Sequence, residues 1–319
     1  MENIKHHSLK INGITMHVAE AAGDGAAVLL LHGFPELWYS WRHQMLHLAA
    51  KGYRAIAPDL RGYGDTEAPP SPSDYSVCHL VGDLVALLDA LGLEQVFLVG
   101  HDWGAAVAWW FCLFRPDRIK ALVNMSVQFH PRNPQISFLQ MYRDVLGDGF
   151  YICRFQEEGE AEKAFESVET AQALKSMFSM REAKPLIVPK EVGMEVIFQA
   201  PAERPPWMTA EDLDYFAGKF KQTGFTGGLN YYRALNLDWE CLAPWQGAPV
   251  SVPVKFLIGD QDLTYHVPGV EEYINGGGMK KHVPNLQEVV VMEGVAHFIN
   301  QEKPEEVSHH ISEFIAKFC

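Results

Sequence analysis

Gly100-His101-Asp102-Trp103-Gly104 places a carboxylate between two glycines, directly after an apolar strand-like run and directly before a helical one. A strand that turns abruptly into a helix needs glycine on either side. The residue at the corner is held strained and exposed, where a helix N-terminus presents free N–H groups and a positive dipole end. That corner usually carries serine. Aspartate changes the reaction. A carboxylate attacking an ester would give an acid anhydride, a high-energy intermediate. The same carboxylate attacking a saturated carbon gives an ordinary alkyl ester, which water can later cleave. Asp102 therefore predicts substitution at an sp3 carbon through a covalent ester, on a substrate that brings its own leaving group: an epoxide oxygen or a halide. The bland alternative is a glycine-rich turn with a solvated aspartate, and the partners of Asp102 argue against it.

A hydrolytic triad on a strand–helix elbow follows the chain order nucleophile, acid, histidine, each on a loop after a strand. Asp262 follows the strand-like run 254–258, and His297 follows 288–292 within Gly294-Val295-Ala296-His297-Phe298. Asp260 competes for the acid role, and spacing alone does not separate the two. Of fourteen histidines, His297 stands apart by its place after the last strand; His6-His7 and His309-His310 read as solvated pairs without metal-ligand spacing. His32-Gly33-Phe34-Pro35-Glu36 follows the run 26–31, where such a site takes one of its oxyanion N–H donors. Gly33 and Pro35 also suit a simple turn into a helix, and both readings hold together.

These residues need a scaffold, and the first 125 positions supply its rhythm. Residues 9–11 and 14–18 flank Asn12-Gly13, a hairpin signal. The continuous apolar run 26–31 reads as a strand buried on both faces. Trp38, Trp41, Met45 and Leu48 repeat at helical spacing up to Gly52. Strands over 54–57, 96–99 and 121–125 alternate with helices over 80–91 and 105–114, which implies a doubly wound parallel sheet. The rhythm returns at 254–258 and 288–292, with a last helix over 304–318. Between 128 and 249 the texture is richer in Met, Tyr, Phe, Glu and Lys, with helical stretches such as 160–180 and 210–218 and no strand-like apolar run. It reads as a helical insertion in one α/β domain made of 1–127 and 250–319.

The 319 residues would fit about two domains or one large one, and the insertion resolves that choice. A net charge of −14 argues against nucleic acid and anionic membrane as partners. No apolar run reaches the length of a signal peptide or a membrane span. Five cysteines in an odd, scattered set point to reduced thiols rather than disulfides or zinc. The expectation is a cytoplasmic protein.

Gly-His-Asp-Trp-Gly at 100–104, His-Gly-Phe-Pro-Glu at 32–36 and Asp-Leu-Arg-Gly-Tyr-Gly at 59–64 resemble the epoxide hydrolases of the α/β-hydrolase fold, specifically the soluble plant type. The resemblance covers essentially the whole chain, with 128–249 as the lid. It implies Asp102 as nucleophile, His297 as base and Asp262 as the acid that orients it, with the N–H groups of Phe34 and Trp103 as oxyanion hole. It places two lid tyrosines on the epoxide oxygen. Asn230-Tyr231-Tyr232-Arg233 matches one of them, with Tyr232 the better fit than Tyr231, and Tyr151 matches the other. Glu36 and His101 correspond to residues that help place the hydrolytic water. No metal or cofactor is implied.

The leaving group decides between families. An epoxide oxygen leaves as an alkoxide and needs a proton or strong hydrogen bonds, which a phenol with pKa about 10 can supply. A halide needs N–H donors and no proton. Similar haloalkane dehalogenases usually carry Asn at the position of Phe34, and fluoroacetate dehalogenases keep an Arg where this chain has Trp103. Phe34, Trp103 and the tyrosines favour the epoxide. Haloalkane dehalogenation is the alternative, and a non-catalytic ligand-binding module would require loss of nucleophile, base or acid, none of which is lost. Phe138, Met141, Phe178, Met180 and Phe198 suit a hydrophobic epoxide, such as that of a fatty acid or aryl compound. The expected partners are that epoxide and water, acting on a monomer or homodimer.

Overall fold

The computed structural model describes residues 3–200 and 202–319. Met1, Glu2 and Pro201, which belong to the N-terminus read as leader-free and to the segment 128–249, lie outside the described residues. Asn12 (φ 41°) and Gly13 (φ 82°) turn the first hairpin in the left-handed region its two-residue loop requires. They join β1 (Ile4–Ile11) to β2 (Ile14–Ala21), with Ile11 opposite Ile14. The apolar run that follows is β3 (Ala27–Leu31), flanked by strands on both edges and buried at every position because both faces of the sheet are covered there. With β4 (Arg54–Pro58), β5 (Val96–His101), β6 (Ile119–Met125), β7 (Val254–Gly259) and β8 (Leu286–Met292) it forms one eight-stranded sheet in the order β1-β2-β4-β3-β5-β6-β7-β8. β2 runs antiparallel to both its neighbours, and the remaining pairs are parallel.

Helices α1 (Arg42–Ala50), α2 (Val77–Ala90) and α3 (Trp103–Phe114) connect the early strands. Between β6 and β7 come α4 (Phe138–Leu146), α5 (Tyr151–Arg154), α6 (Glu160–Glu166), α7 (Thr170–Phe178), α8 (Val196–Gln199), α9 (Ala210–Thr223), α10 (Thr226–Arg233) and α11 (Leu235–Cys241). In that stretch the only extended pairing among the described residues is a single bridge, Phe150 with Ile187. The chain then adds α12 (Val270–Asn275), α13 (Gly278–His282), α14 (Ile299–Glu302) and α15 (Pro304–Ile315). α1 packs on α15 and α2 on α3, so the sheet is covered on both faces. Among the described residues no helix is long and apolar enough to cross a membrane.

Several boundaries differ from the sequence pattern. The helix expected from Trp38 begins as a 3-10 turn, Trp38–Trp41, whose four side chains are all buried and so give no one-sided periodicity. The stretch 160–180 is two helices, because Ser167 turns its hydroxyl back onto the Ala164 carbonyl (2.7 Å) and ends α6. The last helix stops at Ile315 and tightens into a 3-10 turn, Ala316–Phe318. His6 is not merely solvated: its Nδ1 meets His17 Nε2 at 2.9 Å, and His17 Nδ1 meets Asp59 at 2.8 Å.

Polar contacts, buried at Tyr39 and Arg42, tie the helical stretch to the rest of the chain. Trp38 Nε1 donates to the Tyr215 hydroxyl (2.8 Å), Tyr39 donates to Asp212 (2.9 Å), and Arg42 pairs with the same carboxylate at 3.1 Å. Arg181 reaches from beyond α7 to the Gly294 carbonyl (2.7 Å) and to Glu302 (2.5 Å), gripping the loop that follows β8.

Candidate active site

All the residues singled out from the sequence sit at the C-terminal ends of the parallel strands or on the helices above them, where open α/β sheets bind ligands. Asp102 adopts φ 51°, ψ −120°, a conformation seldom tolerated by a residue with a side chain. Its flanking glycines are steric necessities. A Cβ on Gly104 would collide with the Leu31 carbonyl, and one on Gly100 with the Asn124 side chain and the backbone of α3. Gly33 lies so close that a Cβ there would strike Asp102 itself.

The carboxylate of Asp102 is held at both oxygens. Oδ1 accepts the Phe34 N–H at 2.7 Å, and Oδ2 lies 3.3 Å from His297 Nε2. The Trp103 N–H, in the first turn of α3, has no intrahelical acceptor. His297 Nδ1 meets Asp262 Oδ1 at 2.9 Å, and the same oxygen accepts the N–H and the hydroxyl of Thr264, each at 2.9 Å. Asp260 is turned elsewhere, capping the Gly294 N–H at 2.8 Å, so the geometry pairs His297 with Asp262. Burial works to lower the pKa of His297, but Asp262 and Asp102 on either side outweigh it and hold the ring well above its ordinary value. Burial would raise Asp262, and the His297 imidazole, with the Thr264 N–H and the Ser126 hydroxyl, brings it below the usual carboxylate value.

Glu36 and His101 meet each other behind the elbow rather than in the cavity. His101 Nδ1 lies 2.7 Å from Glu36 Oε2 and its Nε2 2.8 Å from the His297 carbonyl. Both partners are acceptors, so the ring donates twice. Glu36 also accepts the Gly33 N–H (3.0 Å) and the Gln301 amide (3.0 Å). Burial opposes its charge, yet His101, together with the Gly33 N–H and the Ser40 hydroxyl, brings its pKa down to about 2. This ion pair joins the loop carrying Phe34 to the backbone of His297.

Above Asp102 a cavity divides into two arms, of about 120 Å³ and about 40 Å³. Asp102, Tyr151, Tyr232 and Leu263 line both arms, Trp103 lines the larger, and Phe34 and His297 the smaller. Tyr151, opening α5, and Tyr232, on α10, lie with ring centroids 6.0 Å apart. Gln156 fixes this spacing by donating to the Tyr232 carbonyl (2.9 Å), and Arg233 pairs with Glu162 at 2.7 Å. Burial and the nearby Asp102 charge push both phenols well above their ordinary value, so both remain donors. Tyr231 points the other way, its hydroxyl on the Arg61 carbonyl at 2.9 Å. Among the apolar residues expected to face substrate, Phe138 lines the larger arm and Met180 and Phe198 the smaller. Met141 lines neither, and Phe178 packs instead on Phe298 with centroids 4.8 Å apart.

Three residues of this site are missed by sequence reasoning. Ser126 takes φ 67° after β6 and donates to the His297 carbonyl at 3.1 Å, and nothing in the string marks that backbone state. Gln301 reaches Glu36 across a separation only the fold closes. Thr264 was detectable: two residues after Asp262, it completes the local turn in which a carboxylate caps the backbone ahead of it.

Residues 26–304 match the family model described as the alpha/beta hydrolase fold. The chain is 63% identical over 318 residues to epoxide hydrolase 1 of Siraitia grosvenorii, covering 100% of both chains. Its structure is similar to that of an epoxide hydrolase from Vigna radiata, with a TM-score of 0.96, 57% identity and coverage of 100% of this chain and 99% of that one. A potato epoxide hydrolase, in an H300N mutant, matches at TM-score 0.93 and 52% identity over 99% and 100% of the two chains. With an aspartate elbow, a carboxylate–imidazole pair and two phenols around one cavity, the chain belongs to the α/β-hydrolase-fold epoxide hydrolases of the plant type, enzymes that add water to an epoxide to give a vicinal diol.

Proposed function

We propose that epoxide hydrolysis proceeds here through an ester on Asp102, and the observation that carries this reading is the placement of Asp102 between His297 and the two phenols. Oδ1 is occupied by the Phe34 N–H, so Oδ2 is the attacking atom. It displaces the epoxide oxygen from carbon, and that oxygen takes a proton from Tyr151 or Tyr232, which solvent restores. His297, held by Asp262, then removes a proton from water as the water oxygen attacks the ester carbonyl. The Phe34 and Trp103 N–H groups hold the oxyanion. Collapse breaks the acyl C–O bond, the departing alkoxide takes the proton from His297 and the diol leaves; the Asp102 carboxyl then gives its own proton to solvent, offsetting the one returned to the phenol and restoring the carboxylate. Glu36 and His101 contribute to placing the water through the Gly33 N–H and the His297 carbonyl they hold.

In this reading residues 1–127 and 250–319 are the catalytic core and 128–249 the lid that selects substrate. The apolar arms suit a hydrophobic epoxide. Free thiols at all five cysteines accord with a cytoplasmic enzyme, acting as a monomer or homodimer. The test is one turnover with enzyme in excess in water enriched in heavy oxygen. The label is expected in the Asp102 carboxyl and not in the first diol. Label in that diol would mean direct attack by water.

A pH effect follows from the same charges. Two carboxylates raise His297 in the resting enzyme, and esterification neutralises one of them, Asp102. The ring therefore titrates at lower pH in the ester than in the free enzyme and becomes a better-poised base when it is needed. The acid limb of ester hydrolysis, followed in single turnovers, is expected below the His297 titration seen by NMR in the free enzyme. Coincident values would refute this charge coupling.

A further inference from the structure

Beyond β6 the chain runs along the wall of the larger arm, and there it places polar groups that the ester chemistry does not use. Gln128 is only 4% exposed, and its amide nitrogen meets His130 Nε2 at 2.8 Å. Tyr142, on α4, lies beside them, its ring centroid 6.3 Å from that of His130. All three line the same arm as Asp102. Elsewhere in that arm the Trp109 N–H already meets the Val127 carbonyl (2.9 Å) and the Thr264 hydroxyl the Ser126 carbonyl (2.8 Å), while the Tyr151 and Tyr232 hydroxyls belong to the ring-opening step. The second polar atom of Gln128, His130 Nδ1 and the Tyr142 hydroxyl have no hydrogen-bond partner among the described residues. Polar atoms facing an otherwise aromatic cavity are costly unless something enters to meet them.

The chemistry of these groups selects what can enter. Burial brings His130 down to about 4, and burial with the nearby Cys153 pushes Tyr142 up to about 12, so near neutral pH the cluster is uncharged. In either orientation of the Gln128 amide, the Gln128–His130 pair turns one donor and one acceptor toward the arm. No Lys or Arg lines the arm, and Asp102 in the same wall is negative, so a carboxylate would be stranded there. A hydroxyl, which donates and accepts at once, fits. We propose that Gln128, His130 and Tyr142 form a neutral polar subsite that binds a hydroxyl carried on the tail of the epoxide, making hydroxylated epoxides the preferred substrate class. This rests on the reading of Asp102 as the attacking residue, since the epoxide must sit against its carboxylate.

The experiment compares straight-chain epoxyalkanes of increasing length with their ω-hydroxy and ω-methoxy counterparts. In the unmodified enzyme, kcat/KM for the hydroxy compound relative to the alkane is expected to pass through a maximum at the length that brings the hydroxyl to His130. The methoxy series, which cannot donate, should lack that maximum. In the Gln128→Leu/His130→Phe variant the ratio at that length is expected to fall about tenfold, the equivalent of one hydrogen bond. A ratio with no maximum, a methoxy series that matches the hydroxy series, or a maximum that survives in a folded double variant would overturn the subsite. Absence of turnover for every epoxide in the set would instead overturn the reading of Asp102, and the subsite with it. The methoxy comparison needs no variant, so the outcome does not depend on the double substitution folding.

Discussion

His297→Gln is expected to stop the enzyme with its substrate attached. Glutamine keeps a polar side chain of similar reach but cannot take a proton from water, while Asp102, Phe34 and the phenols remain to open the ring. Addition of an epoxide should consume one equivalent without releasing diol, and intact mass should rise by one substrate mass, on the peptide containing Asp102. Steady turnover is expected to fall by about four orders of magnitude or more, as when a triad base is removed. Undiminished diol formation with no adduct would show that neither the ester nor the base role of His297 is correct. Halide release from haloalkanes by the unmodified protein, with epoxides untouched, would move the chemistry to the other leaving group.

The complementary loss comes from Tyr151→Phe combined with Tyr232→Phe. On the proposed mechanism each phenol is a donor on the cavity wall, and removal of one such donor typically costs about 10²–10³ in rate. With both gone the epoxide oxygen must leave as a bare alkoxide, and ring opening is expected to slow by at least about 10³ under single-turnover conditions. The two experiments differ in what accumulates. Loss of the base fills Asp102 with ester; loss of the phenols leaves it free, because the first half-reaction fails. A double variant that still accumulated ester rapidly would place the proton donor elsewhere. Removing either hydroxyl leaves a ring of nearly the same shape, so the aromatic contacts of Tyr232 with Phe34 (5.7 Å) and Trp103 (4.9 Å) persist.

The parts of this molecule that the sequence reveals are those enforced by local rules. Asn12-Gly13 marks its hairpin because few residues accept a left-handed turn, and the run ending at Leu31 marks a central strand because both its faces are buried. The elbow was legible for the same reason: close backbone approach at Gly100 and Gly104 admits only glycine. What stayed ambiguous depends on orientation. Tyr231 and Tyr232 are adjacent on one helix, and only the packing of α10 on the sheet turns one to Arg61 and the other to the cavity. Asp260 and Asp262 likewise differ by which way a loop points after β7. The pairing of Glu36 with His101 and Gln301 could not be read at all, since it joins three distant stretches through side chains whose types alone suggest nothing.

The order of the strands also sets a timetable. Asp102 leaves the ribosome with β5, yet its base arrives only after the helical segment, β7 and β8 have been made. At the usual pace of synthesis that delay is roughly 10–40 s. On the proposed mechanism, a chain that closed its site before β8 arrived would open an epoxide and have no base to clear the ester. Because β7 seats against β6, and β8 against β7, His297 reaches Asp102 only when the far edge of the sheet closes, so the nucleophile and the base proposed for it come together in one folding event.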